Sequence, residues 1–426
     1  MRKVLQLALL LLVSYAPLHS QTQYLHCGQL LSMESDKVQS EVTLIVEEGR
    51  ILDIKRGYAE VPDTAILVNL KNKFVMPGWM DMHVHIEHES SPTRYLDRFR
   101  QNDSDVALGA VKYCTRTVNA GFTTVRDLGG TGVNVALKNA IKRGEITGPR
   151  ILTAEKSLAT TGGHADPSNG MKDELKGDPG PKDGVINSVE EAKKAVRQRY
   201  KNGADCIKIT ATGGVLSVAK DGSGPQFTVE EVKAVVDAAA DYGFVTAAHA
   251  HGDEGIKRAV LGGIHSIEHG TLMTEETMKL MKEKGTYYVP TISAGKFVAE
   301  KAAIPGYYPK IIVPKALTIG PKIQETFKNA FEYGVKIAFG TDAGVSPHGD
   351  NAKEFVFMTE VGMSNYEALQ TATVNAADLM NISEDFGTLS KGKYADLIGL
   401  DGNPLEDIET TLNVPFVMQG GKIIKE

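Results

Sequence analysis

The chain has 426 residues, a formal net charge of -6 and a pI near 6.0. That length is ample for a large buried core, and an acidic chain with interspersed charges excludes nucleic acid as its main partner. Its 43 glycines suit a fold with many tight turns between strands and helices.

The N-terminus reads as a targeting segment. "MRK" is a short basic start, "VLQLALLLLV" (4–13) an apolar run, and "SYAPLHSQTQ" follows with small residues. Such a run is too short to span a bilayer and suits the centre of a signal peptide. Cleavage is expected after Ser20, giving an exported protein, periplasmic or secreted, with no membrane anchor. Cys27, Cys114 and Cys206 are odd in number and follow no spacing motif, so they are expected to be core thiols.

Short β-like runs follow at 41–57 and 65–78, with "EEGR" as a hairpin turn. The far end reads alike, with runs at 395–402 and 414–426 and "QGGK" as the turn. Segments 21–76 and 384–426 are therefore expected to form one small β-sandwich domain from both chain ends.

Residues 77–383 alternate between strand and helix patterns. Strand candidates lie at 78–85, 121–129, 149–157, 204–214, 243–252, 263–270, 285–293 and 335–344. "SVEEAKKAVRQRYKNG" (188–203) and "TVEEVKAVVDAAADYG" (228–243) open with a capping-box pattern and close on glycine, as helices do. Eight strands alternating with helices predict an α/β fold, a (β/α)8 TIM barrel. The alternative, a doubly wound open sheet, lacks a GxGxxG turn after its first strand.

In such barrels the active site lies at the C-terminal ends of the strands, and the histidines gather there. In "MDMHVHIEH" (80–88), His83 and His85 share one strand face, about 7 Å apart, and could share a metal ion. The plainer reading is a strand end with two solvated imidazoles. His249 and His251 end the fifth strand in "AAHAHG", His269 ends the sixth in "SIEHG", and Asp342 ends the eighth in "FGTDAG". His164 follows the third strand in "TTGGHAD"; His88 and His348 fall in loops, and His265 lies early in its strand as a structural side chain. Lys208 interrupts the β-branched run "DCIKIT". Buried there, its amine must be paired, neutral or chemically modified, unless it snorkels to the rim.

Taken together, "MPGWMDMHVH", Lys208, "AAHAHG", "SIEHG" and "FGTDAG" resemble the binuclear sites of the amidohydrolase superfamily, in particular the Xaa-Pro dipeptidase/imidazolonepropionase-like branch, which includes ochratoxin-hydrolysing enzymes. The resemblance covers nearly the whole chain. It implies two divalent metal ions, with zinc suited to these N and O donors. His83, His85 and Asp342 would hold one and His249 and His269 the other, with a CO2-derived carbamate on Lys208 bridging both. It further implies amide hydrolysis by a metal-bridging hydroxide, with Asp342 moving the proton and His251 touching the carbonyl or oxyanion.

The expected substrate is a small molecule or dipeptide that loses its C-terminal amino acid. Aromatic loop residues (Tyr287, Phe297, Tyr307, Tyr308) favour proline or a hydrophobic residue there. His164 and Arg126 are candidates for the substrate carboxylate and Tyr288 for the pocket wall. An exposed loop position for His164 is the other reading; an aromatic at Tyr288 is more often core, and Arg126 is expected to pair with Asp127 or a neighbouring acid unless it reaches the carboxylate. A homo-oligomer is expected. Hydrolysis of a cyclic amide, lactone or phosphotriester on the same centre is the alternative chemistry, and a non-catalytic exported metal-binding protein the alternative class.

Overall fold

The computed structural model describes residues 21–218 and 222–426; the expected signal segment 1–20 lies outside the described residues. Among them no helix is long and apolar enough to cross a membrane.

Strands from both chain ends build one sheet. β1 (Gln23–Leu31), β2 (Val38–Glu47), β3 (Arg50–Arg56) and β4 (Ile66–Pro77) come from the N-terminal side. After seven intervening barrel strands among the described residues, the C-terminal side supplies β12 (Leu397–Leu400), β13 (Phe416–Gln419) and β14 (Lys422–Lys425). Their order is β14-β13-β12-β4-β1-β2-β3 among the described residues. β12 joins β4 antiparallel, with Ile398 opposite Met76. The sheet bends over its own core of Leu25, Leu44, Val46, Leu397 and Phe416, so that Gly49 in the β2–β3 turn reaches the β13–β14 turn at Gly420 and Gly421. Cys27 lies in this core and Cys114 and Cys206 are also buried and unbridged, as expected.

A single residue, Gly78, carries the chain from the sheet into the barrel. Its bare Cα faces Thr123, and a Cβ there would stand 2.4 Å from the Thr123 hydroxyl, so this crossing needs glycine. The barrel strands are β5 (Trp79–Val84), β6 (Phe122–Asp127), β7 (Arg150–Thr153), β8 (Cys206–Thr210), β9 (Val245–Ala250), β10 (Ser266–His269) and β11 (Tyr287–Val289). They pair in parallel as β5-β6-β7 and β8-β9-β10-β11. Two seams close the ring. Between β7 and β8, Asp205 N donates to Thr153 O (2.7 Å) and Leu158 N to Lys208 O (2.7 Å). The eighth stave, expected at 335–344, is held by separate bonds rather than a regular ladder: Ala338 N donates to Tyr288 O (3.0 Å), Met82 N to Phe339 O (2.8 Å) and Asp342 N to His83 O (2.7 Å). The ring is thus closed, which excludes the open doubly wound sheet.

Every residue of β5, β6, β8 and β9 is buried, because helices cover the outside and side chains fill the inside. The two helices read from capping signals form. Ser188 accepts from Glu191 N at the start of helix Val189–Asn202, which closes on left-handed Gly203. Thr228 and Glu231 cap helix Val229–Ala240 reciprocally. At the sheet end of the barrel, Phe122 packs against Trp79 (ring centroids 5.4 Å) and Phe339 (5.3 Å), and Phe355 covers Trp79 and Phe339. Truncating such a fully enclosed ring leaves a cavity, so Phe122→Ala should lower the unfolding free energy by about 3–5 kcal/mol in chemical denaturation.

Candidate metal centre

The donors gather at the C-terminal rim, and each is aimed by a specific outer contact. His85, just past β5, donates from Nδ1 to Gly129 O at 2.7 Å. A carbonyl only accepts, so Nδ1 carries the proton and the Nε2 lone pair faces inward. His83 Nδ1 bonds the Glu268 carboxylate at 2.9 Å, leaving Nε2 free in the same sense. The two Nε2 atoms stand 3.6 Å (His83) and 3.4 Å (His85) from the same atom, Asp342 Oδ1. On β9, His249 Nε2 donates to Gly213 O (3.1 Å), so its Nδ1 is the free donor. His269 Nδ1 is tied to Thr291 Oγ1 at 2.7 Å. Its ring lies 4.9 Å from that of His83 and 4.7 Å from that of His249, centroid to centroid.

Strand alternation alone would not bring His269 there. Glu268, its neighbour, faces the barrel interior toward Arg126 and His83, so the next side chain should face out. His269 instead has φ +69°, a left-handed conformation rare outside glycine that turns its ring back to the rim. Asp342 (φ +55°) and Thr291 (φ +56°) are turned in the same way.

Lys208, on β8, is buried, and among the described residues no carboxylate lies within ion-pair distance of its amine. Burial first, opposed by the more distant Glu268 and Asp342, holds its pKa down to about 8. Asp342 is pushed up to about 7, again by burial first, with the Lys208 charge opposing. Its Oδ1 is sealed from solvent without a hydrogen-bond partner. Burial holds His83, His249 and His269 well below the ordinary imidazole range, so they stand as neutral lone-pair donors.

These residues fit divalent cations. Donor atoms of His83, His269 and Asp342 all lie within 4.8 Å of one another. The orphaned Asp342 oxygen has no use in the protein alone, and each imidazole is oriented by a second contact, as metal-bound histidines are.

The remaining predicted site residues divide. His164 and His251 line the same cavity, about 710 Å³ in volume. His164 stacks on His249 (centroids 4.2 Å), and its buried Nδ1 has no partner; His251 Nδ1 bonds Thr271 Oγ1 at 2.9 Å. Arg126 is a correction. It is fully buried, and its donors are taken by Met82 O, Ser266 Oγ and Glu268 (2.8 Å), so it cannot reach a substrate carboxylate. Of its two readings, the ion pair holds, with Glu268 as the acid. Tyr288 is corrected too: it is fully buried behind the site and donates its hydroxyl to His269 O at 2.8 Å. The loop aromatics do not line the cavity; aliphatic residues such as Val215, Leu216, Val298 and Ile323 do.

Two residues that sequence reasoning missed belong to this region. Glu268 sits inside "SIEHG", where alternation assigns it the face opposite His269. Arg94 opens a one-turn helix, Arg94–Asp97, after β5 and lines the cavity; a helix of four residues is too short to carry a periodic signal.

A closed barrel with imidazoles, a lysine and a carboxylate converging on one rim cavity defines a metal-dependent hydrolase. The profile described as Amidohydrolase family matches residues 74–424, and the chain belongs to that family. It is 31% identical to ochratoxinase from Aspergillus niger over 424 residues, covering 94% of this chain and 86% of that one. Among solved structures, a Xaa-Pro dipeptidase with bound methionine in the active site is 50% identical, with TM-score 0.92, over 95% of this chain and all (100%) of that one. A prolidase complexed with N-methylphosphonate-L-proline is 31% identical, with TM-score 0.86 and the same coverage.

Because Glu268 is the contact that orients His83, Glu268→Gln should weaken metal binding by about 10–100-fold, read by competition with a chelator, while far-UV circular dichroism stays unchanged.

Proposed function

We propose that the protein is a binuclear amide hydrolase that releases the C-terminal amino acid from dipeptides or N-acyl amino acids. The observation that carries the reading is the orphaned Asp342 Oδ1, set within 3.6 Å of two imidazole nitrogens and beside a buried lysine without an acid. His83, His85 and Asp342 would hold one cation and His249 and His269 a second, both zinc, with carbamylated Lys208 between them. Bound there, the cations supply an acidified water and polarise the amide carbonyl.

The chain's own residues do the rest. Burial favours a neutral Lys208 amine. Its lone pair adds to the carbon of CO2, forming the N–C bond as one C=O π bond opens onto oxygen, and the nitrogen passes a proton to water to leave the carbamate. Asp342 takes the proton of the attacking water and passes it to the amine as the C–N bond breaks. His251, held at Nδ1 by Thr271, offers Nε2 to the carbonyl oxygen. The stacked His164 shields His249 and closes the cavity on that side.

The relatives support the substrate class. A free amino acid, methionine, occupies the active site of one similar chain, and an L-proline derivative is bound by another. The aliphatic lining suits a hydrophobic or proline residue on the leaving side. Residues 1–20 as a signal for export complete the proposal.

Lys208→Ala should fold, lose most of its metal and nearly all activity; metal analysis and initial rates on Xaa-Pro dipeptides check this, and two metals per chain at normal rate would overturn the binuclear reading. Asp342→Asn keeps an oxygen donor without the base, and kcat should fall about 10²–10⁴-fold with only part of the metal lost.

A further inference from the structure

The cavity holds a cation that the reaction does not use. Arg94 follows β5 in "HESSPTR" and lines the cavity with His85, His88 and Asp342. Its Nη1 is sealed from solvent, and among the described residues the guanidinium makes neither a hydrogen bond nor an ion pair. The two fully buried arginines among the described residues are committed: Arg126 to Glu268 and Arg199 to Glu155. Burial works against the Arg94 charge, and the groups that offset it are Tyr95, Asp342 and Tyr308. Only Asp342 among them is a carboxylate, and it faces His83 and His85. A half-buried guanidinium with one sealed nitrogen and no acid partner is costly, and a planar fork of donors matches a carboxylate in two-point geometry.

We propose that Arg94 is the anchor for the free α-carboxylate of the substrate, and so the residue that restricts this enzyme to C-terminal amino acids. The inference rests on the amide-hydrolase reading above and deepens it. In an N-acyl amino acid the carboxylate carbon lies three bonds from the scissile carbonyl carbon, within one residue length of about 3.8 Å. An anchor for it must therefore stand beside the metal ligands rather than at the outer mouth. Arg94 does: it lines the same cavity as His85, His88 and Asp342. A substrate whose chain continues past this residue has no carboxylate to offer and must bury the guanidinium unpaired. Among the described residues, Lys156 is the other cavity-lining lysine or arginine besides Lys208; it lies after β7 and is the competing candidate.

The experiment compares N-benzoyl-phenylalanine with N-benzoyl-phenylalanine amide on the metal-loaded enzyme. Wild type should prefer the free acid, and Arg94→Met should lower kcat/KM for it by about 10²–10³-fold. The amide should change by less than about threefold, within the range of surface effects. Arg94→Lys should restore part of the preference. Inhibition by free L-phenylalanine should weaken in parallel in Arg94→Met, with metal content unchanged, which separates loss of the anchor from damage to the centre. Loss of the preference in Lys156→Met instead, or an unaltered preference in Arg94→Met, overturns the assignment to Arg94. Wild-type protein that cleaves neither compound nor any dipeptide overturns the function itself, a different result.

Discussion

The buried ion pair between Arg126 and Glu268 is the contact on which both the barrel and its site depend. Both side chains are fully enclosed, and their charges are offset by one another and by hydrogen bonds from all three Arg126 nitrogens and to both Glu268 oxygens. Arg126 reaches Met82 O on β5 and Ser266 on β10 from its own place on β6, and the second Glu268 oxygen holds His83. One guanidinium thus cross-links three strands through the barrel lumen. Replacing such a pair by apolar residues is often neutral, but removing one partner costs about 3–5 kcal/mol. The pair has a use that an apolar filling lacks, because the second Glu268 oxygen fixes the tautomer of His83 and leaves its Nε2 facing the cavity.

Strain is concentrated at the same rim. His269, Thr291 and Asp342 adopt left-handed backbone conformations, each costing of order 1–3 kcal/mol. The surroundings over-determine them. Thr291 Oγ1 bonds His269, and Glu354 accepts from Ile292 N and Ser293 N at the helix that Thr291 precedes. Asp81 accepts from Thr341 and Asn351 and supports the segment before Asp342. Each turned residue is therefore locked from behind by a buried carboxylate or hydroxyl.

Much of this was legible in the chain. Strand-end histidines, the lysine within a β-branched run and the aspartate after "FGT" all lie at one rim because barrel topology places every strand end on the same face. What failed to read through was orientation. Strand position leaves Arg126 and Tyr288 open between a substrate contact and a core position, and the structure places both in the core, the arginine consumed in the lumen. Glu268 was hidden because period-two alternation opposes it to His269, and the positive φ that breaks the alternation leaves no mark in composition. The irregular eighth stave was nonetheless found, since its apolar run is set by burial and not by its ladder.

The sheet built from both chain ends also sets a timetable. β4 continues directly into the first barrel strand through Gly78, yet its partner β12 lies roughly 300 residues onward, a pairing of very high sequence separation. At a synthesis rate of about 5–20 residues per second, that edge waits roughly 15–60 s for its partner. Through that interval the emerging chain carries an apolar strand with an unpaired margin, Phe74 to Pro77, next to the point where the barrel begins. The barrel can close locally, but the foundation it stands on is finished last.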